Sequence, residues 1–190
     1  MMEVYIVFTD TKTNLAKMIK NYTRYPFSHV SLSFSKDLSQ MYSFGRKEAG
    51  NAFIGGFVKE DVSDHLFQRA DCAVCKLELN EESYYRIWAY VQKMEREQDL
   101  FKYNFTGLFA VALNYNFDRK NAYFCSQFVA EGLAAGGVRI VDKPPALVTP
   151  RDLFASESMD MVYRGDMRNY PFLDRAIDFA HGAILLEAVQ

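Results

Sequence analysis

Apolar positions in this chain switch between a period of two and a period of about 3.6, the spacings that separate half-buried strands from amphipathic helices. Val4 to Phe8 is a short apolar, β-branched run closed by the polar TDTKT stretch, which predicts a first strand. Leu15, Met18, Ile19 and Tyr22 fall at helical spacing behind a cap at Thr13 or Asn14, with Tyr25-Pro26 as the stop. His29 to Phe34 then alternates, with His29, Ser31 and Ser33 on one side and Val30, Leu32 and Phe34 on the other. The polar side carrying His29 is expected to line a cleft. Met41 to Gly45, MYSFG, predicts an antiparallel neighbour reached through a short turn.

The next stretch, GRKEAGNAFIGGFVKEDV, contains Gly45, Gly50, Gly55 and Gly56 and reads as a loop with one or two short strands at its edge. Neither a GKS/GKT ending nor a dinucleotide-fingerprint spacing is present, so these glycines supply turns rather than a phosphate cradle. Ala73 to Leu79 alternates again. Asn80 caps a following helix whose apolar side is Ile87, Val91 and Met94, with Tyr84 and Trp88 nearby and Trp88 read as a packing residue. Phe101 to Leu113 contains an apolar helical stretch, and Phe124 to Ala135 is the clearest later helix, with Gly136-Gly137 as its exit. Pro144, Pro145 and Pro150 punctuate a loop before a short helix around Arg151 to Phe154, and Met159 to Tyr163 predicts a last strand. The tail to Gln190 offers a further helix that either covers the core or makes a homo-oligomer contact. No internal repeat divides the chain.

Its 190 residues suit one domain, and 49% apolar with 15% aromatic content points to an ordered core rather than disorder. A net charge of -2 gives no general attraction to nucleic acid or to anionic lipid. The start, MMEVYIVFTDTK, carries an acid where a secretion signal needs bases, so it reads as a strand and the expected location is cytoplasmic. No apolar run approaches the roughly 20 residues that cross a bilayer, so no membrane anchor is expected. Cys72, Cys75 and Cys125 are an odd set without an export signal, which leaves at least one thiol free.

Cys125 opens the run YFCSQFVAEGLA, at the predicted first turn of a helix. A helix start and a neighbouring imidazole both favour the thiolate, the nucleophilic form of a cysteine. The backbone N–H of Cys125 is also placed to stabilise an oxyanion on the sulfur's target carbonyl, with Ser126 and Gln127 as assistants. His29 is the candidate base. Taken alone, either residue is more often structural than catalytic.

SHVSLSF followed by MYSFG, and YFCSQFV much later, resembles the circularly permuted branch of the NlpC/p60 superfamily, the YiiX-like proteins, over roughly Val4 to Tyr163. The resemblance implies an α+β fold: a permuted papain-like core with a central antiparallel sheet and flanking helices, spanning 1–165, with 166–190 a C-terminal extension packed on it. In that branch histidine precedes cysteine, as here. Cys125 then becomes the nucleophile and His29 the base that later protonates the leaving group. The partner is a peptide or other amide substrate, of cell-wall type, and no cofactor is implied. Related sites orient the histidine with a third polar residue on the next strand. Here QMYSFGR holds no Asp, Glu or second His, so Ser43 is the best match, with Gln40 and Tyr42 as alternatives.

Three other readings compete. The thioacyl intermediate of such a site also serves a thioesterase or acyltransferase, and AFIGGF would suit a lipid-facing groove, though it suits a turn better. The missing carboxylate near Ser43 keeps open a binding or interaction protein with an inactive site. His65 with Cys72 and Cys75 has the two-residue cysteine spacing of zinc sites, but there is no second pair and only His181 or a carboxylate to complete the set.

Overall fold

The structure, a computed structural model, describes residues 1–13, 16–17, 20–21, 25–48, 51–103 and 122–173. Strand β1 (Met2–Asp10) lies inside a six-stranded sheet with β2 (His29–Ser33), β3 (Met41–Glu48), β4 (Asn51–Glu60), β5 (Asp71–Leu79) and β8 (Asp160–Asp166). Their order is β4-β3-β2-β1-β5-β8, and every neighbouring pair is antiparallel. Two short strands, β6 (Lys102–Tyr103) and β7 (Ala122–Tyr123), pair in parallel. Among the described residues the α-helices are α1 (Glu81–Arg96), α2 (Cys125–Ala135) and the single-turn α3 (Pro150–Phe154), and 16–17 and 20–21 are also helical. The fold is therefore α+β, a central antiparallel sheet with flanking helices.

Alternation in the strands sorts their side chains onto two faces, and both are buried. Val4, Ile6 and Phe8 of β1, Val30 and Leu32 of β2, and Ala73, Cys75 and Leu77 of β5 form one apolar cluster with Ile87, Val91 and Met94 of α1 and Phe128, Val129 and Leu133 of α2. Tyr5, Val7, Cys72 and Val74 point the other way, under Leu38, Val62, Phe67, Met167 and Tyr170. The α1 start is capped as its sequence predicts, with Asn80 Oδ1 accepting from Ser83 N at 2.8 Å. Trp88 packs edge-on against Phe34 at 4.7 Å, in keeping with its reading as a packing residue.

Several expectations change. The glycine-rich stretch read as a loop is the long β3–β4 hairpin, with Gly45 opposite Gly56 and Arg46 opposite Gly55. Glycine is a poor strand former in isolation, but cross-strand pairing decides the conformation. Of Phe101 to Leu113, expected to contain a helical stretch, Lys102 and Tyr103 are in β6, and 104–113 lie outside the described residues. Leu15, Met18, Ile19 and Tyr22, which carry the predicted early helix, also lie outside them. The boundary drawn at 165/166 falls within β8. Just beyond it Met167 N donates to Ala70 O at 3.0 Å, and the Tyr170 hydroxyl donates to Lys36 O at 2.9 Å. The extension is thus tied to the rest of the fold at Met167 and Tyr170, and 174–190 lie outside the described residues. Among the described residues no helix is long and apolar enough to cross a membrane.

Candidate active site

Cys125 is the first residue of α2, and its burial with Phe128, Val129 and Leu133 sets the helix against the sheet. Phe124, the residue before the helix, is extended and gives no side-chain cap, and the first turn holds no acid. The opening backbone N–H groups have no intrahelical acceptor, and among the described residues no capping side chain takes them. Ser126 and Gln127 are occupied elsewhere. The Ser126 hydroxyl donates to Val148 O at 2.6 Å, and Gln127 Nε2 donates to Glu131 Oε1 at 3.0 Å, so both brace the helix.

His29 is the first residue of β2, paired with Thr9 near the end of β1. The side of β2 that it shares with Ser31 and Ser33 does not line an open cleft as expected, since both serines are fully buried. Only the imidazole, at the strand's end, keeps some exposure, 16%. Cys125 acts on it electrostatically, in the direction that raises its pKa. Its Nε2 lies 2.7 Å from Glu60 Oε1. Gly45 makes room beside the ring: a Cβ built there would stand 3.6 Å from His29 Cε1 and 3.4 Å from Ser43 Oγ.

Glu60, the last residue of β4, is the carboxylate that the sequence lacked near Ser43. It pairs with Met41 while Ser43 pairs with Val58, so it reaches diagonally across β3. The β2–β3 register, Leu32 opposite Tyr42 and Ser33 opposite Met41, continues to bring Ser31 beside Ser43. Both serines donate to the carboxylate, Ser43 to Oε1 at 2.5 Å and Ser31 to Oε2 at 2.6 Å. Ser43 therefore holds Glu60 and reaches His29 through it. Of the other candidates, Gln40 is exposed, and Tyr42 lies on the opposite face, stacked with Phe57 at 5.9 Å. The usable signal for Glu60 was its even spacing from Gly56 and Val58, but that identifies a face only once the hairpin register is known.

Burial is the largest single influence on His29 and pushes its pKa down. The charges of Glu60 and then Cys125 outweigh it and raise the imidazole to about 10. Burial likewise pushes Glu60 up, but His29 and the two serine hydroxyls hold it below its ordinary value of 4.5. The pair is thus an imidazolium and a carboxylate at neutral pH.

The remaining cysteines do not combine. Cys72 and Cys75 point to opposite faces of β5, into separate apolar clusters, which takes apart the proposed pair of zinc ligands. His65 is on the surface, 3.1 Å from Asp64. Among the described residues no group of three or more His, Cys, Asp or Glu could hold a metal ion. No family model and no curated protein matches this chain.

Proposed function

We propose that this protein is a cysteine hydrolase of amide bonds with a permuted papain-like site, Cys125 as nucleophile, His29 as acid and base, and Glu60 as the group that orients His29. The observation that carries this is the imidazole paired with a buried carboxylate, Nε2 to Glu60 Oε1 at 2.7 Å, and acted on by the sulfur at a helix start. The order in the chain, histidine before cysteine, fits the permuted arrangement suggested by SHVSLSF and YFCSQFV.

In the reaction, the Cys125 thiolate attacks the amide carbonyl carbon, an S–C bond forms, and the oxygen takes the negative charge beside the Cys125 N–H. The His29 imidazolium gives its proton to the nitrogen, the C–N bond breaks, and the amine leaves. Water then loses a proton to His29 and attacks the thioacyl carbon, releasing the acid and restoring the thiolate. Glu60 keeps the ring oriented and offsets its charge throughout. The case for an inactive binding protein drew on a missing carboxylate, and Glu60 removes that premise. Its substrate is a small peptide or similar amide, since Cys125 is only 5% exposed and a slender acyl group suits so narrow an approach.

Alkylation of Cys125 by iodoacetamide, followed by mass spectrometry across pH 5 to 10, tests the pairing. In H29A the rate should fall about 10- to 1000-fold and its pH profile should change. An unchanged profile in H29A would sink the assignment. A panel of peptides and acyl esters, compared between wild type and C125A, then separates amide hydrolysis from thioesterase or acyl-transfer chemistry.

A further inference from the structure

Arg164 stands opposite Ala73 in β8, and Ala73 stands opposite Phe8, so Arg164 rises on the face of the sheet where α2 packs. Its guanidinium carbon lies 5.8 Å from the ring centre of Phe27, two residues before His29. Phe27 packs against Phe154 of α3 at 5.6 Å, and Tyr25 leans on both, at 6.1 and 5.6 Å. Arg151 is three residues before Phe154, on the same side of that single turn. Arg164 thus lies against, and Arg151 acts on, an aromatic platform whose Phe27 is two residues before His29 in the chain.

The acids nearest these arginines in sequence are already engaged. Asp152 accepts from Lys143 at 2.7 Å and from Thr149 N at 2.9 Å, and Asp166 is held by Arg168 at 2.6 Å. Among the described residues neither Arg151 nor Arg164 has an ion-pair partner, and both are exposed. Both also act on the Tyr25 hydroxyl, pulling its pKa down against the stronger upward push of burial. Planar guanidinium groups match the oxygens of carboxylates and phosphates, and two of them beside a hydroxyl make a better oxyanion site than either alone.

We propose that Arg151 and Arg164, on the Tyr25–Phe27–Phe154 platform, bind an oxyanion of the substrate, so that the favoured amides carry a carboxylate or phosphate beside the scissile bond. This rests on Cys125 being the nucleophile, and the test separates the two ideas. N-bromoacetyl derivatives alkylate the sulfur by displacing bromide. They are prepared on spacers of increasing length ending in a carboxylate, a phosphonate or a neutral amide, and Cys125 labelling is followed by mass spectrometry.

At one spacer length an anionic probe should label about tenfold faster than its amide, and this ratio should collapse in about 0.5 M salt. The ratio should fall to about one in R151Q/R164Q, and it should largely survive in R164K, which keeps the charge. The faster anionic arm identifies the oxyanion, and far-UV circular dichroism confirms that each variant is folded. An anion-to-amide ratio near one at every spacer length, or one that R151Q/R164Q leaves unchanged while labelling still depends on His29, overturns the oxyanion site alone. Labelling that does not depend on His29 overturns the catalytic reading and this proposal together.

Discussion

Glu60 and Ser43 touch the same carboxylate–hydroxyl contact from opposite ends, and their removal should have unequal effects. E60Q takes away the charge that holds the His29 imidazolium, so Cys125 alkylation should slow by about tenfold or more. S43A removes one of two hydroxyl donors to Glu60, which should cost about 1–2 kcal/mol of stability and slow alkylation less than E60Q does. Equal losses of rate in the two variants would return Ser43 to the role its sequence position suggested. The same pair gives stability a pH signature. The raised pKa of His29 makes its contribution complete below its ordinary 6.5 and lost as pH climbs through about 10. The lowered pKa of Glu60 makes its contribution complete above 4.5 and lost on acidification. The urea-midpoint difference between wild type and E60Q should therefore be largest between pH 4.5 and 6.5 and shrink toward pH 10. A difference that grows with alkalinity would contradict the charge assignment.

The helix that presents Cys125 depends on how it ends and what it rests on. Gly137 has φ +73°, a left-handed conformation suited to a helix exit, and Val138 N bonds back to Leu133 O at 2.9 Å. Gly136 is required for a different reason. A Cβ there would stand 2.6 Å from Ile87 Cγ1 and 2.8 Å from Ser83 O of α1. G136A should therefore push α2 off α1 and destabilise the protein by about 1–3 kcal/mol in urea unfolding, despite alanine's better helix propensity. Stabilisation by G136A would show that the two helices have slack between them. The doublet was legible as a helix exit, but the close contact at Gly136 was not, because Ile87 is 49 residues away in the chain.

Across the fold, the three thiols sit in different surroundings. Burial raises Cys72 to about 12, with Asp166 and Asp71 adding to it, and burial alone raises Cys75 to about 11. Native protein treated with iodoacetamide at pH 8 should carry a single label, on Cys125, with Cys72 and Cys75 reacting only in denaturant. Early labelling of either β5 cysteine would mean that the sheet opens more readily than its two buried faces suggest. What the sequence determined follows from local rules. An apolar, β-branched run gave the strand at Val4, period-two runs gave those at His29 and Ala73, and helical spacing gave α1 and α2. Those features depend only on residues within a few positions of one another. Glu60 as the partner of His29, the split of Cys72 and Cys75 between two cores, and Arg164 against Phe27 were decided by tertiary structure. Each depends on strand register or on packing between distant segments, and a one-residue slip in register exchanges the two faces of a strand.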